Sequence, residues 1–146
     1  MDNDPGRILA VDPGEKRLGI AISDPTQTIS SALCVIDHES KRKNAQKILS
    51  LAEEQGAVLI LIGHPLDWDG NTNPQSDHSL RLLEEIQSLG IIPVKLWDEY
   101  GSTQKALDSR RQMNVSRKKR SGHLDQVAAA VILQSYLDQQ IDMEAE

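Results

Sequence analysis

The hydrophobic positions along the chain change their spacing from one segment to the next, and the spacing predicts the elements. Two short apolar runs, residues 7–11 and 18–23, are separated by polar turn residues, which is typical of a β-hairpin. A third run at 29–36 predicts the next strand. Residues 57–62 are apolar without alternation, which is typical of a parallel strand covered on both faces. The N-terminal half therefore predicts an antiparallel hairpin that joins a partly parallel sheet.

Helical spacing appears between and after these strands. In residues 40–55 the apolar positions recur at i, i+3, i+4 and i+7, ahead of Gly56, and glycine commonly ends helices. The pattern predicts three further helices and one more strand, with the helices over about 77–89, 102–113 and 124–135 and the strand over 91–97. Strand and helix alternate after the hairpin, so we expect an α/β fold with a mixed sheet flanked by helices.

Length and composition limit the class of protein. A chain of 146 residues suits one domain, and we expect residues 1–146 to form it, with an ordered core over about 7–138 and a frayed acidic tail over 139–146. Hydrophobic residues make up 38% and charged residues 26%, which is typical of soluble globular proteins. No apolar run is long enough to span a bilayer and the N-terminus lacks a signal peptide, so we expect a cytoplasmic protein without a membrane partner.

The charge is unevenly distributed. The net charge is -6, yet six of the 16 Lys and Arg residues lie between Arg110 and Arg120, and no acidic residue falls between Asp108 and Asp125. Such runs are usually solvated loops, but this one leads directly into Asp125 and could bind phosphates. The residues proposed to do so are Arg117, Lys118, Lys119 and Arg120. The smaller cluster at 41–43 is interpreted as ordinary surface.

The four histidines show no zinc-ligand spacing. We interpret His38 and His78 as solvent-exposed residues of a loop and a helix start. His64, at a strand end, and His123, two residues before Asp125, could approach a site formed by acidic residues.

Three acidic residues stand at the ends of predicted elements. Asp12 ends the first strand, Glu99 follows the fifth and Asp125 opens the last helix. Loops beyond strand ends meet at one edge of an α/β sheet, and converging carboxylates are the ligands that Mg²⁺ prefers. Taken singly, each acid also has a local explanation, since Asp-Pro-Gly forms turns, Glu99 could be a solvated loop acid, and an acid at a helix start favours the helix dipole. Spacing leaves both interpretations open.

Four blocks of sequence, in order, carry a resemblance to a known family. They read LAVDPGEKRLGIAISD, LIGHPLDWDGN, WDEYGST and LDQVAAAVILQSYLD. Together they resemble the YqgF family, also called RuvX, of Holliday-junction-resolvase-like proteins and pre-16S rRNA nucleases, over about residues 7–138. The resemblance implies an RNase H-like fold with a five-stranded mixed sheet. It also implies a Mg²⁺-dependent nuclease, with Mn²⁺ as an alternative ion.

The same resemblance implies roles for particular residues. Asp12, Glu99 and Asp125 would be the catalytic, metal-binding acids. Residues implied to lie near the substrate are Gly14, Lys16, Arg17, Gly19, Ser102 and Thr103. Tyr100 replaces the Arg usual in the family, so a guanidinium that could pair with phosphate is absent and a ring that could stack on a base takes its place.

Several functions stay open. The favoured one is hydrolysis of phosphodiester bonds in structured nucleic acid, above all at the 5′ end of pre-16S rRNA during ribosome biogenesis, with pre-ribosomal particles as partners. Alternatives are a Holliday junction resolvase acting on branched DNA and a non-catalytic nucleic-acid-binding or ribosome-assembly module. The motif DPGEKRLG also resembles the phosphate-binding turn of the actin and Hsp70 ATPases, but those enzymes close two domains around a nucleotide and this chain has length for one. We expect a monomer or a weak homodimer.

Overall fold

The computed structural model describes residues 3–14, 16–65, 71–98 and 125–145, with the side chains of 127–143 in the last range. Five strands and three helices follow one another along these residues. They are β1 (Arg7–Pro13), β2 (Arg17–Ser23), β3 (Ser30–Asp37), α1 (Lys41–Gln55), β4 (Ala57–Gly63), α2 (Pro74–Leu89), β5 (Val94–Trp97) and α3 (Asp125–Ala145). The five strands form one sheet in the order β3-β2-β1-β4-β5. β1 pairs with β2, and β2 with β3, in antiparallel fashion, whereas β1 with β4 and β4 with β5 are parallel. The predicted mixed α/β sheet is confirmed.

The sheet is buried on both faces, and β1 shows why. Side chains alternate across a strand, so Leu9 and Val11 join the core cluster under α1 and α2, while Ile8 and Ala10 join the cluster under α3. Position 12 therefore lies on the face that α3 covers. Both faces of β1 need apolar side chains up to this point, which explains the unbroken apolar run in the sequence.

Small residues let α3 lie close to the sheet. On the helix, Ala129 faces a cluster that includes Ala10 of β1 and Ala21 of β2. At the end of β4, a Cβ built on Gly63 would come within 2.9 Å of Ile132 Cδ1. The absence of a side chain at position 63 thus makes room for the helix where β4 ends.

Trp97, the last residue of β5, packs partly buried against the α3 cluster. Its Nε1 donates a hydrogen bond to Ser135 Oγ at 3.0 Å. The ring meets Tyr136 edge to face, with centroids 5.1 Å apart. These contacts fasten the end of β5 to α3.

Local capping sets the helix starts. The Ser40 hydroxyl accepts the Lys43 N–H and Gly56 ends α1 in the left-handed conformation, with φ 70°, as the sequence predicts. α2 begins at Pro74, three residues earlier than predicted, because Asn73 and Ser76 form a reciprocal capping box. The apolar periodicity of the sequence begins only after this cap and therefore predicts a later start.

Two other boundaries differ from expectation. β5 starts at Val94 rather than at 91, because Pro93 has no N–H for the ladder and Ile91 is 99% exposed. The expected acidic tail is part of α3, which continues to Ala145, because no Gly or Pro interrupts that stretch. The predicted helix over 102–113 lies outside the described residues. Among the helices that the structure describes, none combines the length and the apolar character needed to cross a bilayer.

The turn between β1 and β2 is tight. Pro13 pairs with Leu18, and the Gly14 N–H donates to the Arg17 carbonyl at 3.0 Å. A Cβ at position 14 would lie 2.5 Å from that carbonyl oxygen, a separation that real side chains do not adopt. The turn itself therefore requires glycine at this position.

The opposite end of the same pair of strands is held by a buried hydroxyl. Ser23, 1% exposed, accepts a hydrogen bond from the Ile8 N–H at 2.8 Å and donates to the Asp24 carbonyl at 3.0 Å. One side chain thus satisfies a backbone donor where β1 enters the sheet.

We expect Ser23→Ala to lower the free energy of unfolding by about 1–3 kcal/mol, because the Ile8 N–H would stay buried without an acceptor. Urea denaturation followed by circular dichroism measures the change. Ser50→Ala, on the exposed side of α1, is the control and should change stability by less than about 0.5 kcal/mol. Equal effects of the two substitutions would contradict the role assigned to Ser23.

We expect Gly14→Ala to destabilise the protein by about 1–3 kcal/mol, because the added methyl group displaces the Arg17 carbonyl and opens the turn. Urea denaturation followed by circular dichroism measures this loss of stability. Lys16→Ala changes an exposed residue of the same turn and should leave the midpoint almost unchanged. A Gly14→Ala variant as stable as Lys16→Ala would show that the turn tolerates a side chain.

Candidate active site

Asp12 is held within a strand. It is the next-to-last residue of β1, pairs with Gly19 of β2 and is only 5% exposed. The sequence predicts Asp12 at the strand end, next to a turn. Because Pro13 is the last strand residue, the regular β1–β2 ladder sets the position of Asp12, and the turn begins beyond it.

The carboxyl ends of three strands meet near Asp12. β1, β4 and β5 are parallel, so Asp12 lies at the same sheet edge as Gly63 and Trp97. The ladder continues one step past β4, where the His64 N–H donates to the Trp97 carbonyl at 3.0 Å. This is the edge at which α/β sheets collect functional groups, and it leads directly to the segment that contains Glu99.

His64 brings an imidazole to this edge. Burial lowers the pKa of His64 below its usual value, while the charges of Asp98 and Asp77 act in the opposite direction. The net lowering keeps the ring largely uncharged at neutral pH, so it could accept a proton there.

The hairpin turn is held from two sides by groups far away in sequence. The Gln75 side chain, in the first turn of α2, donates to the Pro13 carbonyl. The His38 N–H donates to the Lys16 carbonyl at 2.9 Å. Lys16 and Arg17 have exposed side chains on this turn, which the two hydrogen bonds hold in place. The site therefore presents two cationic residues on a fixed backbone.

The glycines of the hairpin have structural explanations. Gly14 is required by the Arg17 carbonyl, as described above. Gly19 is buried in β2 and pairs with Asp12 on one side and Val35 on the other. Close approach of nucleic acid to these glycines stays a prediction.

For the remaining predicted site residues, the structure does not describe the side chains. Those outside the described residues are Glu99, Tyr100, Ser102, Thr103, Arg117, Lys118, Lys119 and Arg120. Asp125 is the first residue of α3, the helix that covers the face of the sheet on which Asp12 lies, and its side chain is also outside the described part. Convergence of the three acids stays a prediction.

A divalent cation fits the part of the site that is described. Asp12 offers carboxylate oxygens, the donors that hard cations prefer, at a fixed and largely buried position. Within the described ranges, no group of three or more His, Cys, Asp or Glu side chains could hold a metal ion. The side chains of Glu99 and Asp125 are outside those ranges, so Asp12 is the one predicted metal ligand whose side chain is described.

Sequence reasoning missed the residues that support the hairpin. Gln75 is 62 positions from Pro13, and it lies in a stretch that the apolar pattern left as loop. His38 acts through its backbone N–H, a contact that side-chain chemistry does not signal. Only the packing of α2 and of the β3–α1 connection beside the hairpin reveals them.

Comparison with known proteins agrees with this architecture. Residues 6–139 match the family model described as "RuvX: Holliday junction resolvase". A relative from Roseiflexus sp. (strain RS-1), named "Putative pre-16S rRNA nuclease", is 33% identical over 140 residues, covering 96% of this chain and 99% of the relative. A relative of the same name from Protochlamydia amoebophila (strain UWE25) is 38% identical over 141 residues, covering 92% and 94% of the two chains.

Two solved structures share the fold at low sequence identity. The first is T. thermophilus RuvC in complex with a Holliday junction substrate, with a TM-score of 0.52, 13% identity, and coverage of 92% of this chain and 95% of that one. The second is the fowlpox virus Holliday junction resolvase, with a TM-score of 0.52, 15% identity, and coverage of 91% and 99%. Both likenesses confirm the RNase H-like fold. The family match over nearly the whole chain and the full-length relatives show that the chain belongs to the RuvX family, whose named members are nucleases, enzymes that hydrolyse phosphodiester bonds.

Proposed function

We propose that the protein is a divalent-metal-dependent nuclease that processes the 5′ end of pre-16S rRNA. One observation carries the proposal: a buried carboxylate, Asp12, lies where three parallel strands end, on the face covered by the helix that Asp125 begins. Membership of the RuvX family and the names of its relatives support the reaction and the substrate.

Asp12, Glu99 and Asp125 are the residues that would hold the metal, Mg²⁺ or Mn²⁺. When bound, such ions activate water and neutralise charge on the phosphate being cut. Asp12 contributes an anionic oxygen donor whose position is set by its pairing with Gly19. The position of Asp125 at the start of α3 supports a shared metal site, because α3 covers the sheet face on which Asp12 lies.

The hairpin would bind the nucleic-acid backbone beside the cut. Lys16 and Arg17 present cations on a turn that hydrogen bonds from the Gln75 side chain and the His38 N–H hold in place. The backbone of the turn therefore loses little conformational entropy when phosphate binds. Further contacts would come from Gly14, Gly19, Tyr100, Ser102, Thr103 and the basic residues Arg117, Lys118, Lys119 and Arg120. A cytoplasmic location and binding to pre-ribosomal particles follow from a precursor rRNA substrate.

Cleavage of branched DNA is the second candidate function. The family description and the two resolvase structures favour it. Symmetric cutting of a four-way junction needs two active sites, so this alternative requires a dimer on the DNA. RNA processing requires only one chain. A cleavage assay with RNA and with junction DNA distinguishes the two functions.

We expect the wild-type protein to cut a pre-16S rRNA transcript in the presence of Mg²⁺ or Mn²⁺, and Asp12→Asn to reduce the rate by at least about 100-fold, because an amide is a weaker cation ligand than a carboxylate. Gel analysis of 5′-labelled RNA measures the rate. Asp142→Asn, an exposed acid near the end of α3, is the matched control and should keep full activity.

A four-way DNA junction is tested in parallel. Cutting of the junction alone would favour the resolvase, and binding without cutting of either substrate would favour a non-catalytic module. Undiminished RNA cleavage by a folded Asp12→Asn variant would contradict the assignment of Asp12.

We expect replacement of residues 117–120 by alanine to weaken binding of the same RNA and to flatten its salt dependence, because each phosphate contact contributes roughly -0.9 to the slope of log affinity against log salt for duplexes. Fluorescence anisotropy in the Asp12→Asn background measures the slope without cleavage. A slope equal to that of the parent protein would exclude phosphate contacts from this segment.

A further inference from the structure

A small cleft lies beside the active-site hairpin, on the α1 and α2 side of the sheet edge. It has a volume of about 270 Å³ and is lined by His38, Pro74, Gln75 and His78. Two of these residues also hold the hairpin, through the His38 N–H and the Gln75 side chain. The cleft and the turn that follows Asp12 are therefore parts of one connected structure.

The cleft contains two stacked imidazoles. The rings of His38 and His78 have centroids 5.5 Å apart and planes 25° apart. His38 Nδ1 lies 3.1 Å from the Glu39 carbonyl oxygen and so can donate to it. His78 Nε2 is buried and has no hydrogen-bond partner among the described residues. His78 lines the cleft and can use this nitrogen to hydrogen-bond a ligand there.

Arg81 lies one helical turn after His78 in α2, and Lys41 begins α1 just after His38. Among the described residues, the charged groups that act on His78 are cationic. Burial lowers its pKa, and the charges of His38, Lys41 and Arg81 lower it further. They come from three elements, namely the β3–α1 connection, α1 and α2. An anion bound beside these groups would reduce the repulsion among their positive charges.

No acidic group among the described residues offsets this charge by acting on His78. Glu39 forms a salt bridge with Lys47 at 3.1 Å, and both residues line a separate cleft. Asp77, next to His78 in sequence, is exposed, and its charge acts on His64. Two imidazoles with two cations beside them suit an anionic ligand better than a metal ion, which the cations would repel.

We propose that this cleft is a phosphate-binding subsite for the nucleic-acid backbone, in which His38, His78, Lys41 and Arg81 hold a phosphodiester group of the strand that passes over the active-site hairpin. The subsite rests on the proposed nuclease function and extends it. Asp12 lies on the α3 face and the cleft on the opposite side of the edge, so the bound strand crosses the hairpin turn from one side to the other. Lys16 and Arg17 lie on the turn between the two sides.

Binding is measured by anisotropy of a fluorescein-labelled RNA duplex with a 5′ single-stranded extension, in the Asp12→Asn background without divalent ions. We expect Lys41→Ala and Arg81→Ala each to weaken binding by about 3- to 10-fold at low salt, and the double variant to reduce the magnitude of the salt slope by about 1–2. All these side chains lie at or near the surface. Lys43→Ala is the matched control, since Lys43 lines a different cleft beside Cys34.

The pH dependence tests the imidazoles separately. A bound phosphate favours the protonated ring, so affinity should rise as the pH falls from about 8 to about 6. His78→Gln keeps a polar side chain of similar reach but cannot become charged, and we expect it to remove at least half of that rise. Lys43→Ala should retain the full pH dependence.

The outcomes separate the subsite from the proposed function. If the active protein cuts RNA while Lys41→Ala and Arg81→Ala bind like Lys43→Ala, the subsite is overturned and the nuclease stands. If those variants weaken binding but no substrate is cut, the subsite stands and the nuclease fails. Absence of RNA binding by the parent protein would overturn both.

Discussion

Burial of β1 on both faces is the constraint on which the rest of the structure depends. The strand is paired with β2 on one side and β4 on the other, and its side chains enter two separate cores. Since side chains alternate, a single register decides which face each residue occupies. Because Leu9 and Val11 face α1 and α2, Asp12 is on the opposite face, which α3 covers. A shift of one residue would move the carboxylate to the other face, among the apolar side chains under α1 and α2, at a large cost in free energy.

The same constraint fixes the support of the hairpin. α1 and α2 cover one face, and this brings Gln75 and the connection at His38 against the turn that follows Asp12. The turn is therefore held by tertiary contacts as well as by its own hydrogen bond. Its position is set before any substrate arrives, which is how enzymes reduce the entropy lost in orienting reacting groups.

Close packing on the opposite face depends on small residues. Ala10, Ala21 and Gly63 on the sheet, with Ala129 on α3, let helix and strands approach without large side chains between them. The RuvC and fowlpox structures share the fold at 13% and 15% identity, so the fold does not depend on one particular sequence.

The sequence alone was enough to predict the types of the elements that the structure describes, the mixed sheet and the position of Asp12 at the end of an apolar run, because hydrophobic spacing and turn residues act over a few residues. It did not determine where α2 and β5 begin, since the capping box at Asn73 and the exposure of Ile91 are invisible to apolar periodicity. Nor did it show that His38 and His78 form a stacked pair near Lys41. Such contacts join residues about 40 positions apart, and only the packing of α1 on α2 beside the hairpin decides that they meet.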